Sequence, residues 1–159
     1  MSSTTYIVPF IKAVASVFKD MLGIVVTKGE PVDEGEEFGS QGFAVIVGFT
    51  GGWRGRFFLD MPPTAALRLA SILTGEEYAS PTEEEVLLSA AEIGNVVCGN
   101  AVTAVNDAYP GLNIRLTPPS VFVGDGFSMF NVRLSSYSVL MQTEAGPIKI
   151  NVAVEEGKR

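Results

Sequence analysis

Apolar residues first recur at helical spacing in Phe10, Ile11, Val14, Ala15, Val17, Phe18, Met21 and Leu22, with Lys12, Lys19 and Asp20 set between them. Side chains three or four apart on a helix share a face, so this stripe predicts a core helix over 10–22. Pro9 suits its first turn, and Gly23 its end. A β-branched strand is expected over 24–31, then an acidic, solvated loop over 33–41 with Glu34, Glu36 and Glu37. Segments 43–50 and 53–60 flank Gly51-Gly52. A glycine pair tolerates positive φ at both central positions of a tight turn, so 43–60 is expected to be a hairpin.

Pro62-Pro63 opens a short connecting helix over 63–74 in which Ala65, Leu67, Leu69, Ala70, Ile72 and Leu73 are apolar, with Gly75 placed for a left-handed cap. Ser80-Pro81-Thr82-Glu83 has the capping-box pattern, and nothing interrupts the helix it starts until Tyr109-Pro110-Gly111, which predicts a helix over 81–108. Within it Leu87, Ala90, Ala91, Gly94, Val97, Cys98, Ala101 and Val105 follow the rhythm of a buried face, while Ser89, Glu92, Asn95 and Gly99 line up as a small, polar stripe. A strand over 113–117 meets Pro118-Pro119, which belong at an edge or strand end, and 121–123 continues it. Gly124-Asp125-Gly126 is a turn, and 127–134 reads equally as a short strand or as loop. Segments 137–143 and 148–154 alternate around Glu144-Ala145-Gly146-Pro147 as a closing hairpin, with 155–159 a polar tail.

Both halves thus run helix, strand, hairpin. The expected fold is α+β: a single domain over 1–159 whose mostly antiparallel sheet carries two long helices on one face, a pseudo-twofold repeat joined by the short helix.

Composition narrows the function. The 159 residues are 47% apolar, enough for one substantial core. A net charge of −7 argues against nucleic acid and anionic membranes, which attract basic surfaces. No run reaches the ~18 apolar residues of a membrane span and no secretory signal pattern opens the chain, so a soluble, cytoplasmic protein is expected. With no histidine, Ser-His-Asp and Cys-His nucleophilic mechanisms have no residues to run on. The lone Cys98 excludes an internal disulfide and falls on the buried side of the long helix. Gly48, Gly51, Gly52 and Gly55 match no phosphate-binding loop spacing. Chemistry here rests on carboxylates, amides and hydroxyls, or is completed by a partner.

Asn is a mediocre helix former, and Gly costs about 1 kcal/mol relative to Ala in a helix interior. Gly94, Asn95, Gly99 and Asn100 therefore mark a helix that gives up stability. The run Glu92-Ile93-Gly94-Asn95-Val96-Val97-Cys98-Gly99-Asn100, with Pro118 following 23 residues after Asn95, resembles the signature of the CheC/CheX/FliY chemotaxis phosphatase family, closest to its CheX branch. That signature is an Asp or Ser, then Glu-x-x-Asn, then Pro at this distance. Pro9-Phe10, Leu22-Gly23-Ile24-Val25 and Lys28-Gly29-Glu30-Pro31 extend the resemblance over about residues 9–154. One departure is Leu88, four before Glu92 where the family has Asp or Ser; Ser89 is one position late.

The resemblance implies hydrolysis of the aspartyl phosphate on a CheY-like receiver domain, with Glu92 and Asn95 catalytic and Ser89, Gly99 and Pro118 contacting the partner. Asn95 would orient the attacking water and Glu92 would pair with the receiver's lysine. It further implies no metal or cofactor of the chain's own, Mg²⁺ carried by the receiver, one active motif, and a homodimer. Two other readings stand beside it: a module that binds a receiver or flagellar-switch protein without catalysis, and a plain oligomeric domain whose Glu/Asn stripe is surface. Two-carboxylate hydrolysis is disfavoured, since sequence places no second carboxylate beside Glu92.

Overall fold

The structure, a computed structural model, describes residues 3–131 and 133–156. The first apolar stripe folds as α1 (Val8–Val17), which buries Phe10, Ile11, Ala13, Val14 and Val17. One π-type turn, Phe18–Leu22, carries it to Gly23, whose φ of 67° ends the helix. The strands that follow are β1 (Thr27–Lys28), β2 (Val32–Gly35), β3 (Glu37–Gly39), and the hairpin β4 (Phe43–Thr50) and β5 (Trp53–Met61). Then come α2 (Pro63–Thr74), α3 (Glu84–Ala108), β6 (Arg115–Leu116), β7 (Ser120–Val123), β8 (Ser128–Phe130), and the hairpin β9 (Ser136–Thr143) and β10 (Gly146–Glu156).

Several local expectations change, among them the strand expected over 113–117, of which only Arg115–Leu116 is paired. Only Thr27–Lys28 of segment 24–31 is strand, because Ile24 turns into the core and Pro31, lacking an N–H, breaks the ladder. The acidic segment 33–41 is largely paired rather than loop: β2 lies on β9, β3 lies on β8, and Phe38 anchors it, 3% exposed. The long helix starts at Glu84. The Ser80–Glu83 motif folds as a separate turn, in which Glu83 Oε2 accepts the N–H groups of Ala79 and Ser80 but Ser80 Oγ takes Thr82's N–H instead of Glu83's. At the β4–β5 turn only Gly51 has positive φ, 127°; Gly52 is needed for space, since a Cβ there would sit 2.9 Å from both Cα and O of Leu112. Finally, Glu155 and Glu156 of the supposed tail remain in β10, and 157–159 lie outside the described residues.

The sheet order is β1-β9-β10-β5-β4-β6, with β2 also on β9 and β7 also on β4. Every pairing is antiparallel. The repeat is real, and its halves exchange edges. The hairpins meet through β5 and β10 at the centre. Each outer hairpin strand then accepts short strands from the opposite half, β6 and β7 on β4, β1 and β2 on β9. The small β3–β8 ribbon also joins the two halves.

All three helices share one face of the sheet, the connecting helix α2 included, and bury one apolar cluster. Phe10 packs over Phe49 and Phe57 at centroid distances of 5.8 and 5.4 Å. The ribbon covers part of the opposite face, with Phe38 edge-on to Phe58 at 5.3 Å. Two devices fix α3. A Cβ at Gly94 would lie 2.7 Å from Val45 Cγ1, so glycine brings the helix axis close to β4. Near its end the Asn106 amide bridges both backbone groups of Ile114, at 3.0 and 2.9 Å. Helix α3 is long and apolar enough to cross a membrane, with 25 residues and a window of mean hydropathy 1.3, yet half of that window is buried against its neighbours.

Candidate functional site

Because α3 packs on the sheet and also against α1 and α2, its buried face is wide. It takes in Val86, Ser89, Ala90, Ile93, Gly94, Val97, Cys98, Ala101, Val102 and Val105. Glu92 and Asn100 are left exposed, Asn95 and Gly99 half-buried. Ser89 is thus a correction: it is 6% exposed and faces inward, while Leu88 stands 60% exposed on the open stripe. The helical phase explains the swap. At about 100° per residue, Glu92 and Asn95 fall some 40° and 20° either side of Leu88, whereas Ser89 is about 100° away. Leu87 and Ala91, expected in the core, are half-buried. Polarity pointed to Ser89; counting back one turn from Glu92 finds Leu88.

The remaining stripe residues stay together. Glu92 and Asn95 project from adjacent turns of one rigid helix, and neither side chain bonds to any described residue. That sets Asn95 apart from Asn106, Asn131 and Asn151, whose amides are all engaged within the chain. Gly99 differs from Gly94 as well: a Cβ there would only touch Leu116 Cδ1 at 3.6 Å, so internal packing does not demand glycine. Pro118 is exposed on the link between β6 and β7. Its neighbour Thr117 donates its N–H to Gly48 O at 2.8 Å, and Leu116 reaches the Gly99 level of α3, so the link is held beside the helix.

Toward its start, α3 becomes strongly acidic. Glu76, Glu77, Glu83, Glu84 and Glu85 surround a shallow concavity of ≈ 510 Å³ with Tyr78. The Tyr78 hydroxyl donates to Glu85 at 2.5 Å and bonds Thr74 Oγ1 at 2.9 Å, tying the ends of α2 and α3 together. The bond to Glu85 holds the phenol's pKa above its usual value. A largely apolar cavity of ≈ 530 Å³ lies elsewhere, between α1 and α3, lined by Val8, Trp53, Ala104 and Tyr109 among others; it includes neither Glu92 nor Asn95. Cys98 is buried, its thiol pushed up to about 12 by desolvation, and is no nucleophile. Among the described residues no group of three or more His, Cys, Asp or Glu is placed to hold a metal ion.

A carboxylate and a carboxamide on an open helix face cannot enclose a small molecule. They can act on a group presented to that face from outside, where Gly99 adds no side chain.

A family model described as chemotaxis phosphatase CheX matches residues 43–142, the span that contains α3 and Pro118. The structure is similar to that of a chemotaxis protein CheX from Desulfovibrio desulfuricans, at 21% identity and a TM-score of 0.85, with 95% of this chain and 99% of that chain covered. It is similar also to a CheX–CheY–BeF3–Mg²⁺ complex from Borrelia burgdorferi, at 30% identity and a TM-score of 0.78, covering 95% of this chain and 98% of that one. Thermotoga maritima FliY shares the fold at 19% identity and a TM-score of 0.63, with 94% and 85% covered. No curated protein matches the sequence.

Proposed function

The chain belongs to the chemotaxis phosphatase CheX family, and from that premise we propose that it hydrolyses the aspartyl phosphate of a CheY-like receiver domain, ending a chemotaxis signal in the cytoplasm. The observation that carries this reading is the Glu92/Asn95 pair, set one turn apart on an open face and unbonded to any described residue. The Borrelia burgdorferi complex, of CheX with CheY, supports the class of partner.

The chemistry asks little of the added protein. An acyl phosphate is intrinsically labile and its transition state is loose, so catalysis consists mainly of placing water in line and balancing charge. The Asn95 amide offers both an acceptor and donors, and so orients that water without repelling the phosphoryl oxygens as a carboxylate would. Glu92 pairs with a lysine of the receiver, a charge-assisted contact that strengthens as the interface excludes water. Mg²⁺ and the phosphoaspartate arrive on the receiver. Gly99 and Pro118 lie at the contact, whereas buried Ser89 supports the helix from behind. A homodimer formed through other surfaces would leave this face free.

The test is release of inorganic phosphate from a CheY receiver phosphorylated with acetyl phosphate. Substoichiometric protein should accelerate release with multiple turnovers. Unchanged or slowed release with a stoichiometric complex would replace the enzyme by a sequestering module.

A further inference from the structure

Leu88 belongs to neither apolar cluster and is 60% exposed on the same stripe as Glu92 and Asn95, one turn nearer the helix start. A lone exposed leucine is ordinary surface. Its surroundings here are not ordinary. Glu84 and Glu85 lie one turn before it, Glu92 one turn after, and Glu76, Glu77 and Glu83 line the adjoining concavity. Glu83 and Glu85 are occupied by local hydrogen bonds. Glu76, Glu77, Glu84 and Glu92 have neither ion pair nor side-chain hydrogen bond to any described residue, and no basic residue lines the concavity. Acidic residues in a helix's first turn suit its dipole, which accounts for Glu84 and Glu85, but Glu76 and Glu77 lie between α2 and α3 and add like charge beside them in a chain whose net charge is already −7. An apolar centre within a charged rim is the arrangement of a protein interface, where the desolvated residue supplies affinity and the rim supplies steering and selection.

Resting on the phosphatase reading, we propose that the first two turns of α3 are the docking half of the site: Leu88 seats in an apolar spot on the receiver while Glu76, Glu77 and Glu84 face basic side chains around it. The stripe is continuous, acidic rim, then Leu88, then Glu92 and Asn95, so a receiver presenting its phosphoaspartate to Asn95 must also cover Leu88. Selection follows from that continuity. Receivers with a basic and partly apolar surface beside the phosphorylation pocket are substrates; receivers with an acidic surface there are excluded by repulsion.

The experiment measures both turnover and affinity of a phosphorylated CheY receiver for wild type, Leu88→Ser, Leu88→Met and the triple variant Glu76→Lys/Glu77→Lys/Glu84→Lys. Leu88→Ser should raise KM and Kd about 10-fold, in the range for loss of an interface anchor, with kcat nearly unchanged. Leu88→Met should restore both. The triple variant should raise KM at low salt and flatten its dependence on ionic strength. Circular dichroism should show the wild-type helical signal throughout, with only small drops in melting temperature, since Glu84→Lys opposes the helix dipole and serine is a weaker helix former than leucine. Active wild type with KM, Kd and salt dependence unmoved by these substitutions overturns the docking inference and leaves the phosphatase reading standing. Wild type that binds the phosphorylated receiver without turnover overturns the phosphatase reading, and the Kd series then decides the docking surface alone.

Discussion

Alanine at two glycines of α3 should move stability in opposite directions. At Gly94 the added methyl would lie 2.7 Å from Val45 Cγ1 and 3.3 Å from Val45 Cβ. Val45 is fully buried on β4 and, being β-branched, is stiff at χ1, so it cannot swing aside. Overpacking of this kind costs about 1–3 kcal/mol, and the helix-propensity gain of alanine over glycine returns about 1 kcal/mol, leaving Gly94→Ala destabilised by up to about 2 kcal/mol. At Gly99 the methyl meets only Leu116 Cδ1 at an ordinary 3.6 Å, so Gly99→Ala should gain close to the full ~1 kcal/mol of propensity. Yet Gly99→Ala is the substitution expected to slow receiver dephosphorylation, because it raises the surface where the partner approaches. Urea unfolding gives the first pair of numbers and phosphate release the second. A double-mutant cycle isolates the cause: in a Val45→Ala background the 2.7 Å contact is gone and only the 3.3 Å one to Cβ remains, so Gly94→Ala should become neutral or stabilising, by at most about 1 kcal/mol. If Gly94→Ala stabilises the unmodified protein, or keeps its sign in the Val45→Ala background, the close approach of α3 to β4 is not what that glycine serves.

Two other outcomes follow from burial. The Cys98 thiol, pushed up to about 12 and enclosed in the core, should resist Ellman's reagent at pH 8 in the folded protein and react as one equivalent in denaturant; rapid reaction of the native state would contradict its placement. Asp60 is 1% exposed, and burial raises its pKa above 3.8 despite hydrogen bonds from Ser40 and Gln41. Since the native state then holds this proton more tightly than the unfolded chain, its contribution is fully present below pH 3.8 and is lost as pH rises from there through the native pKa. The urea midpoint of Asp60→Asn relative to wild type should therefore climb across that window and level off above it, and a flat difference would refute the sign.

What could be seen in the sequence was whatever local periodicity and turn chemistry determine. The hairpin around Gly51-Gly52, the closing hairpin around Gly146 and the doubled order of elements all fall in that class. The short edge strands do not. Thr27–Lys28 and Val32–Gly35 are mostly exposed and pair with β9 from the other half, so their strand state comes from a distant partner. The open face of α3 that carries the candidate residues was legible except for its phase. Glu92, Asn95 and Gly99 share the open face as expected, but polarity is a poor guide at a boundary position: a serine is small enough to face the core, and a leucine stands in its place outside. The four helix-weakening residues also looked alike, and only packing separates Gly94, pressed on Val45, from Gly99, which touches little.

The central claim is that Asn95 positions water for hydrolysis rather than merely holding a partner. It is tested most directly by phosphate release from a phosphorylated CheY receiver with Asn95→Ala, measured beside the affinity of that variant for the same receiver. Release should fall to the receiver's own unassisted rate, with binding and unfolding midpoint unchanged. Stimulated release that survives in Asn95→Ala would contradict the claim.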